Sequence, residues 1–217
     1  MYQAMINERL AHQSGGLFYL RIEDTDAKRK VEGAEAALIK TLADYQVYFD
    51  EGVTADGEKG SYGPYTQSKR KDIYHVFAKE LVKKGLAYPC FMNDADEQPS
   101  ETSGDLIDWE QEQQRKALEK KQWRSITQEE IEEHLALAHP FVVRIRSADT
   151  SENKVYFTDL LKGKLELPEN DEDFVLLKSD GIPTYHFAHV VDDHLMRTTH
   201  VIRGEEWLSS LPKHIML

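Results

Sequence analysis

Apolar positions along this 217-residue chain alternate between helical spacing and short continuous runs, punctuated by glycine and proline. Residues 1–13 read as a helix that Gly15-Gly16 stop, and the run Leu17-Phe-Tyr-Leu20, extended by Ile22, predicts a buried strand. From Val31 onward Ala34, Leu38, Leu42 and Tyr45 recur at helical spacing. Residues 50–65 hold four glycines and Pro64, and are expected to form a loop. A second amphipathic helix starts near Ser68, with Ile73, Phe77 and Leu81 on one face. Lys83-Lys84 and Gly85 mark its end, since cations and glycine both favour a helix C-terminus.

Residues 93–125 are dominated by acids, glutamines and lysines without an apolar stripe, and read as an exposed excursion. Thr127 and Glu130 then form a capping box, with Ile126 placed to staple against Ile131. Strand-like runs follow at residues 141–145, 154–157 and 174–177. The last segment predicts a helix over 185–193, a strand over 199–202 and a helix from Glu205. The order is an α/β half, an α+β insertion and a return to α/β near Asp180. Ligand sites in such sheets lie beyond the carboxyl ends of strands, so Arg21-Ile-Glu23-Asp24 and Ile202-Arg203-Gly204-Glu205-Glu206 are expected to share one site.

A hydrophobic content of 40% supports a packed core, and no apolar run approaches the length that crosses a bilayer. No signal peptide is visible at the start, so a cytoplasmic location is expected. The single cysteine, Cys90, excludes an internal disulfide and a cysteine-rich zinc site. A net charge of −12 argues against non-specific nucleic-acid binding. It leaves local basic clusters as candidate contacts: Lys28-Arg29-Lys30, Lys69-Arg70-Lys71, Lys120-Lys121 with Arg124, and Lys162 with Lys164. Each reads more readily as a solvated face.

The densest polar chemistry lies between Asp180 and Leu208. His186 and His189 share a helix face with Asp192, Asp193 and His194 nearby, a pattern open to a metal site, a hydrolase site or core-satisfied histidines. The spacing is not His-Glu-x-x-His, and no nucleophile signature accompanies it. Arg21-Ile-Glu-Asp-Thr-Asp26 places three carboxylates within four positions, readable as a helix-capping turn or, less readily, a cation site. Arg203 has a plain reading too, pairing with Glu205 or Glu206 at the surface.

Six collinear segments add a resemblance. Arg21-Ile-Glu-Asp-Thr-Asp26, Gly63-Pro-Tyr-Thr-Gln-Ser-Lys-Arg70, Gly85-Leu-Ala-Tyr-Pro-Cys-Phe91, Leu176-Leu-Lys-Ser-Asp-Gly-Ile-Pro-Thr-Tyr185, Val190-Val-Asp-Asp-His-Leu-Met196 and Thr199-His-Val-Ile-Arg-Gly-Glu-Glu-Trp-Leu208 resemble successive landmarks of glutamyl-tRNA synthetases, in the same order. The resemblance covers nearly the whole chain, the central insertion least well. It implies an α/β fold, a Rossmann-like class I synthetase catalytic domain at 1–85 and 180–217, interrupted by an acceptor-stem-binding insertion at 86–179. It also implies ATP-dependent activation of L-glutamate and transfer to the 3′ end of tRNA(Glu), with ATP as substrate together with Mg2+, in a monomer. By position, Glu23 would hold the amino group of glutamate, and Tyr185 and Arg203 its side-chain carboxylate. His189 would stand in the pocket where other members carry Asn. Glu206, Trp207 and Leu208 would approach the adenosine, and Asp26 and Arg29 the tRNA 3′ end.

Glutaminyl-tRNA synthetases resemble Arg-Phe-Asp-Asp-Thr-Asn at the first segment and lack an arginine at the position of Arg203. A neutral glutamine would strand that charge, at a cost of about 3–5 kcal/mol, or roughly a hundred- to several-thousand-fold in affinity. A glutamyl-queuosine tRNA synthetase, with much the same pocket, and a non-catalytic glutamate- or tRNA-binding paralogue remain alternatives. The family's phosphate-binding motif is expected before Met1 and its lysine loop after Leu217, so this stretch alone is expected to be inactive. Some members bind zinc through Cys-x-Cys; here Cys90 is followed by Phe91 and Met92, and no zinc is expected.

Overall fold

The computed structural model describes residues 1–26, 31–91, 118, 121–148 and 152–217. The chain divides into two units, one formed by Met1–Tyr74 with Tyr185–Leu217 and the other by His75–Thr184.

The first unit opens with helix α1 (Tyr2–Gln13), which ends where Gly15 takes a positive φ of 71°. Strand β1 is only Tyr19–Leu20 and is half-buried, with Leu17 62% exposed. The expected buried strand over 17–22 is thus shortened: β1 has one ladder partner among the described residues, and its other side lines an open cleft. Helix α2 (Ala34–Asp44) carries the chain to β2 (Glu51–Thr54), which pairs parallel with β1 through Tyr19↔Glu51 and Leu20↔Gly52. Of the expected α2 stripe Leu42 is buried, whereas Leu38 and Tyr45 are exposed.

Strand β2 turns antiparallel into β3 (Gly57–Lys59), so residues 50–65 are not the loop their glycines suggest. Gly52 explains the difference. Its φ is 128°, and a Cβ there would sit 2.2 Å from the Leu20 carbonyl oxygen, so glycine admits the close β1–β2 approach and does not break the strand. Val53, Tyr65 and Met196 form the local core, with Tyr19, Ile22, Ile39 and Tyr62 against it.

A 3-10 turn at Gln67–Arg70 leads into helix α3 (Lys71–Lys83). Its buried positions are Tyr74 and Ala78, while Ile73, Phe77 and Leu81 are half-buried, a rotation of the predicted stripe by one position.

In the second unit β4 (Ala87–Cys90), β5 (Val142–Ile145) and β8 (Val175–Leu177) form an antiparallel sheet in the order β4-β5-β8. Strands β6 (Lys154–Asp159) and β7 (Gly163–Pro168) make a separate hairpin. Helix α4 (Gln128–Ala136) carries the predicted capping box between Thr127 and Glu130. Buried Asp173 ties this unit together, accepting from the Tyr88 hydroxyl at 2.7 Å and the Ser147 amide at 2.8 Å. Arg124 pairs with Asp173 at 3.3 Å and is only 19% exposed, so it is a structural ion pair and not a solvated basic face. Most of residues 93–125 lie outside the described set.

The chain returns to the first unit with helix α5 (Tyr185–Leu195), as predicted, followed by a 3-10 turn at Glu205–Ser210 and helix α6 (Leu211–Met216). The expected strand over 199–202 is absent among the described residues. That stretch lines the cleft instead of joining a ladder, and the Gln3 side-chain amide donates to the Ile202 carbonyl at 2.6 Å. No helix among the described residues is long and apolar enough to cross a membrane.

Candidate active site

Two backbone hydrogen bonds fix the segment after β1: the Ile22 amide donates to the Tyr65 carbonyl at 2.8 Å, and the Gln67 amide donates to the Ile22 carbonyl at 2.9 Å. With Ile22 against the core, extended geometry sends Arg21 and Glu23 to the opposite face. Helix α5 supplies Tyr185, His189 and Asp193, each four residues apart and therefore on one stripe. Arg203 arrives on the extended segment before the Glu205–Ser210 turn. Arg21, Glu23, His189, Asp193 and Arg203 edge a cleft of about 810 Å3 that also takes in α1 and the open side of β1.

At its centre, His189 Nε2 lies 2.9 Å from Asp193 Oδ2, while Nδ1 lies 3.3 Å from Glu23 Oε1 and 3.0 Å from Arg21 Nη2. Arg21 also pairs with Glu23 at 2.8 Å and with Asp193 at 2.9 Å. Arg203 Nη1 donates to the Tyr185 hydroxyl at 2.8 Å, and its Nη2 abuts the His189 ring. The Arg203 guanidinium lies over the Trp207 ring at 5.5 Å and pairs with no carboxylate among the described residues. It is a half-buried cation held by aromatic, imidazole and phenolic contacts, none of which offsets its charge, so an anion would be favoured beside it.

Burial works to raise the Glu23 carboxyl, but hydrogen bonds from His189 and the Arg21 charge outweigh it and bring it down to about 2. Asp193 is lowered for the same kind of reason, against its burial. For His189, burial disfavours the charged form, yet hydrogen bonds to Asp193 and Glu23 raise it above the ordinary imidazole value. His214, stacked on His189 with centroids 5.2 Å apart, goes the other way. Burial first, then the neighbouring His189, His186 and Arg203 charges, push it down to about 3.

Beneath the stripe, Asp192 is 0% exposed and accepts from Arg70 Nε at 2.7 Å, Gln67 Nε2 at 3.0 Å and the Tyr74 hydroxyl at 2.8 Å. Arg70 continues to the Tyr62 and Pro64 carbonyls at 3.1 and 2.8 Å. Arg70 is therefore an internal anchor, not part of a surface basic cluster, and Lys69 beside it pairs with Glu58 at 3.2 Å.

The structure brings Glu23, Tyr185, His189 and Arg203 into one cluster. Trp207 joins them through Tyr185, with ring centroids 5.4 Å apart; Glu206 and Leu208 share its 3-10 turn. Asp26 is half-buried three residues after Glu23, and Arg29 lies outside the described residues. Sequence reasoning places Arg21 and Asp193 in candidate segments without giving either a role in holding a ligand, and does not single out His214. The first two were legible as residues of the quoted segments, but their pairing across 172 positions was not. The polar group on α5 splits: His189 and Asp193 face the cleft, His186 bonds His214 at 3.1 Å, and Asp192 faces the interior. Among the described residues no group of three or more His, Cys, Asp or Glu side chains could hold a metal ion. Around His189 the guanidiniums of Arg21 and Arg203 lie 3.0 and 3.1 Å from Nδ1, and their charge disfavours a further cation on that ring.

A family profile described as tRNA synthetases class I (E and Q), catalytic domain, matches residues 1–217. The chain is 50% identical over 224 residues to a glutamate–tRNA ligase of Clostridium perfringens, covering 100% of this chain and 39% of that protein. A glutamate–tRNA ligase of Acetivibrio thermocellus is 48% identical over 225 residues with the same coverage. Among solved structures, a glutamate tRNA ligase from Elizabethkingia meningosepticum, crystallised in complex with its amino acid, superposes with a TM-score of 0.82 at 33% identity. The match covers 99% of this chain and 42% of that one. The chain thus spans about 39% of the length of the curated relatives it matches. With both the profile and the relatives running its whole length, the chain belongs to the class I tRNA synthetases (E and Q), as catalytic-domain sequence.

Proposed function

We propose that this chain forms the amino-acid-selecting part of a glutamate–tRNA ligase, which activates L-glutamate with ATP and transfers it to the 3′ end of tRNA(Glu). The observation that carries this reading is Arg203, a half-buried guanidinium bonded to the Tyr185 hydroxyl, sharing the His189 ring with the Glu23 carboxylate and without a carboxylate partner among the described residues. An anion on Arg203 and Tyr185 and an ammonium on Glu23 match the two ends of glutamate. The glutamate–tRNA ligases at 48–50% identity support it, as does the related structure solved with its amino acid.

In this reading Glu206, Trp207 and Leu208 approach the adenosine of ATP, which enters as its Mg2+ salt. Asp26 and Arg29 face the tRNA 3′ end, and residues 86–179 bind the acceptor stem. The enzyme acts as a cytoplasmic monomer without zinc. Calorimetry with L-glutamate and L-glutamine tests the pocket: glutamate should bind this chain, and glutamine at least about a hundredfold more weakly. Equal affinity for the two would overturn the reading.

A further inference from the structure

The contacts of His189 offer partners to two protonation states. A neutral ring would donate from Nε2 to Asp193 at 2.9 Å and accept at Nδ1 from Arg21 at 3.0 Å. An imidazolium would keep the Asp193 bond and turn its Nδ1 proton to Glu23 at 3.3 Å. A proton on Nδ1 would face the Arg21 and Arg203 N–H groups at 3.0 and 3.1 Å as well as Glu23, so the balance of surrounding charge decides which state is held.

That balance can be counted. Arg21 and Glu23 face the ring from the segment after β1, Asp193 from its own helix and Arg203 from the extended segment: two cations and two anions. Tyr185 packs on the ring as a neutral phenol, and His214 from α6 stacks on it with its charged form disfavoured by burial. His186, one turn back on α5, bonds His214. With a neutral imidazole the cluster sums to zero; with an imidazolium it carries one positive charge. Two cations oppose that proton: Arg21, which is offset by its own pairs with Glu23 and Asp193, and Arg203, whose Nη2 lies 3.1 Å from Nδ1 and which has no carboxylate partner among the described residues.

We propose that His189 is a specificity-determining residue that couples capture of the ligand's side-chain carboxylate to uptake of one proton, so that glutamate binds together with a proton and glutamine without one. The inference rests on the reading of Arg203 as the carboxylate's partner. A carboxylate on Arg203 neutralises the charge that opposes protonation of His189, and the proton then moves from solvent to the ring nitrogen facing Glu23. Glutamate brings one net negative charge and the protonated cluster one positive charge, so the occupied site is neutral, as burial favours. Glutamine brings a neutral amide, leaves the Arg203 charge in place and gives the ring no reason to take up a proton. Linkage makes the effect reciprocal: the proton tightens glutamate by the factor by which glutamate raises the proton affinity of His189.

The test is calorimetry of L-glutamate and L-glutamine binding to this chain and to His189→Asn between pH 5.5 and 8.5, in two buffers of different ionisation enthalpy. The expected result is a glutamate affinity that falls by up to about tenfold per pH unit once the pH passes the His189 value of the free chain. Above that point the heat should report uptake of one proton, while glutamine shows no uptake and the glutamate-to-glutamine ratio in His189→Asn does not change with pH. Glutamate binding with a ratio independent of pH in the unmodified chain would overturn the coupling and leave the pocket reading intact. Proton uptake that persists in His189→Asn would assign the proton to another group and also overturn it. No glutamate binding at any pH would remove the pocket reading itself, and the inference with it.

Discussion

His214 and His189 are stacked imidazoles whose environments push them in opposite directions, and the two separate cleanly in pH. A group raised in the folded state, such as His189, contributes stability that is complete below its unfolded value near 6.5 and is lost as the pH climbs through its folded value. His214 is lowered to about 3, so the unfolded chain takes up its proton first and stability falls as the pH drops from 6.5 toward 3. Between pH 6 and 5 the carboxylates lowered in the fold, Glu23 and Asp193 among them, are mostly ionised in both states, and His189 is mostly protonated in both. His214 therefore dominates that window. The urea midpoint of the chain should fall from pH 6 to 5, and His214→Phe, which keeps an aromatic ring but cannot titrate, should flatten that fall. An unchanged slope would place the uncompensated proton elsewhere.

At the scale of elements, Gly52 and Asp192 set where the site's parts stand. Gly52→Ala meets both a φ of 128° and the Leu20 carbonyl, whereas Gly57→Ala meets a φ of 132° with nothing within 4 Å. Gly57→Ala should cost about 1–3 kcal/mol of strain. Gly52→Ala should cost at least about 1 kcal/mol more, a further loss of about 2–4 °C in Tm for a chain of this size. Equal losses would mean that β1 gives way without cost. Asp192→Asn leaves Arg70 without its buried counter-ion, a loss of about 3–5 kcal/mol, toward the lower end because Arg70 also donates to two carbonyls. Tyr74→Phe removes one bond to the same carboxylate and should cost only about 1 kcal/mol. Equal losses in urea titrations would show that the Asp192 charge is not what anchors α5. These contacts also mark the limit of sequence reading. The periodicity of α1, α3 and α5 and the capping box of α4 were legible because local spacing fixes them. The β2–β3 hairpin was misread because a glycine that admits a close strand looks the same in sequence as one that ends it.

For the whole molecule, the site joins Glu23 to His189 across 166 positions, and nothing local in either segment encodes that meeting. The strand-end argument brought Glu23 and Arg203 together, the six collinear segments supplied Tyr185, and the resemblance they carry supplied His189, which lies between two of them. The ion pairs of Arg21, Asp193 and the buried Asp192 needed coordinates, because a carboxylate's partner is set by packing and not by spacing. Elemental analysis of the purified chain should find no stoichiometric zinc, and one tightly held ion per chain would show that a ligand set was overlooked. The central claim is that Arg203 selects the charged side chain. Measured in the complete enzyme, Arg203→Ala should lower kcat/KM for glutamate far more than for glutamine, shrinking their ratio by at least about tenfold. A ratio that stays the same while both values fall together would make Arg203 a surface charge, and would contradict the assignment of this pocket to glutamate.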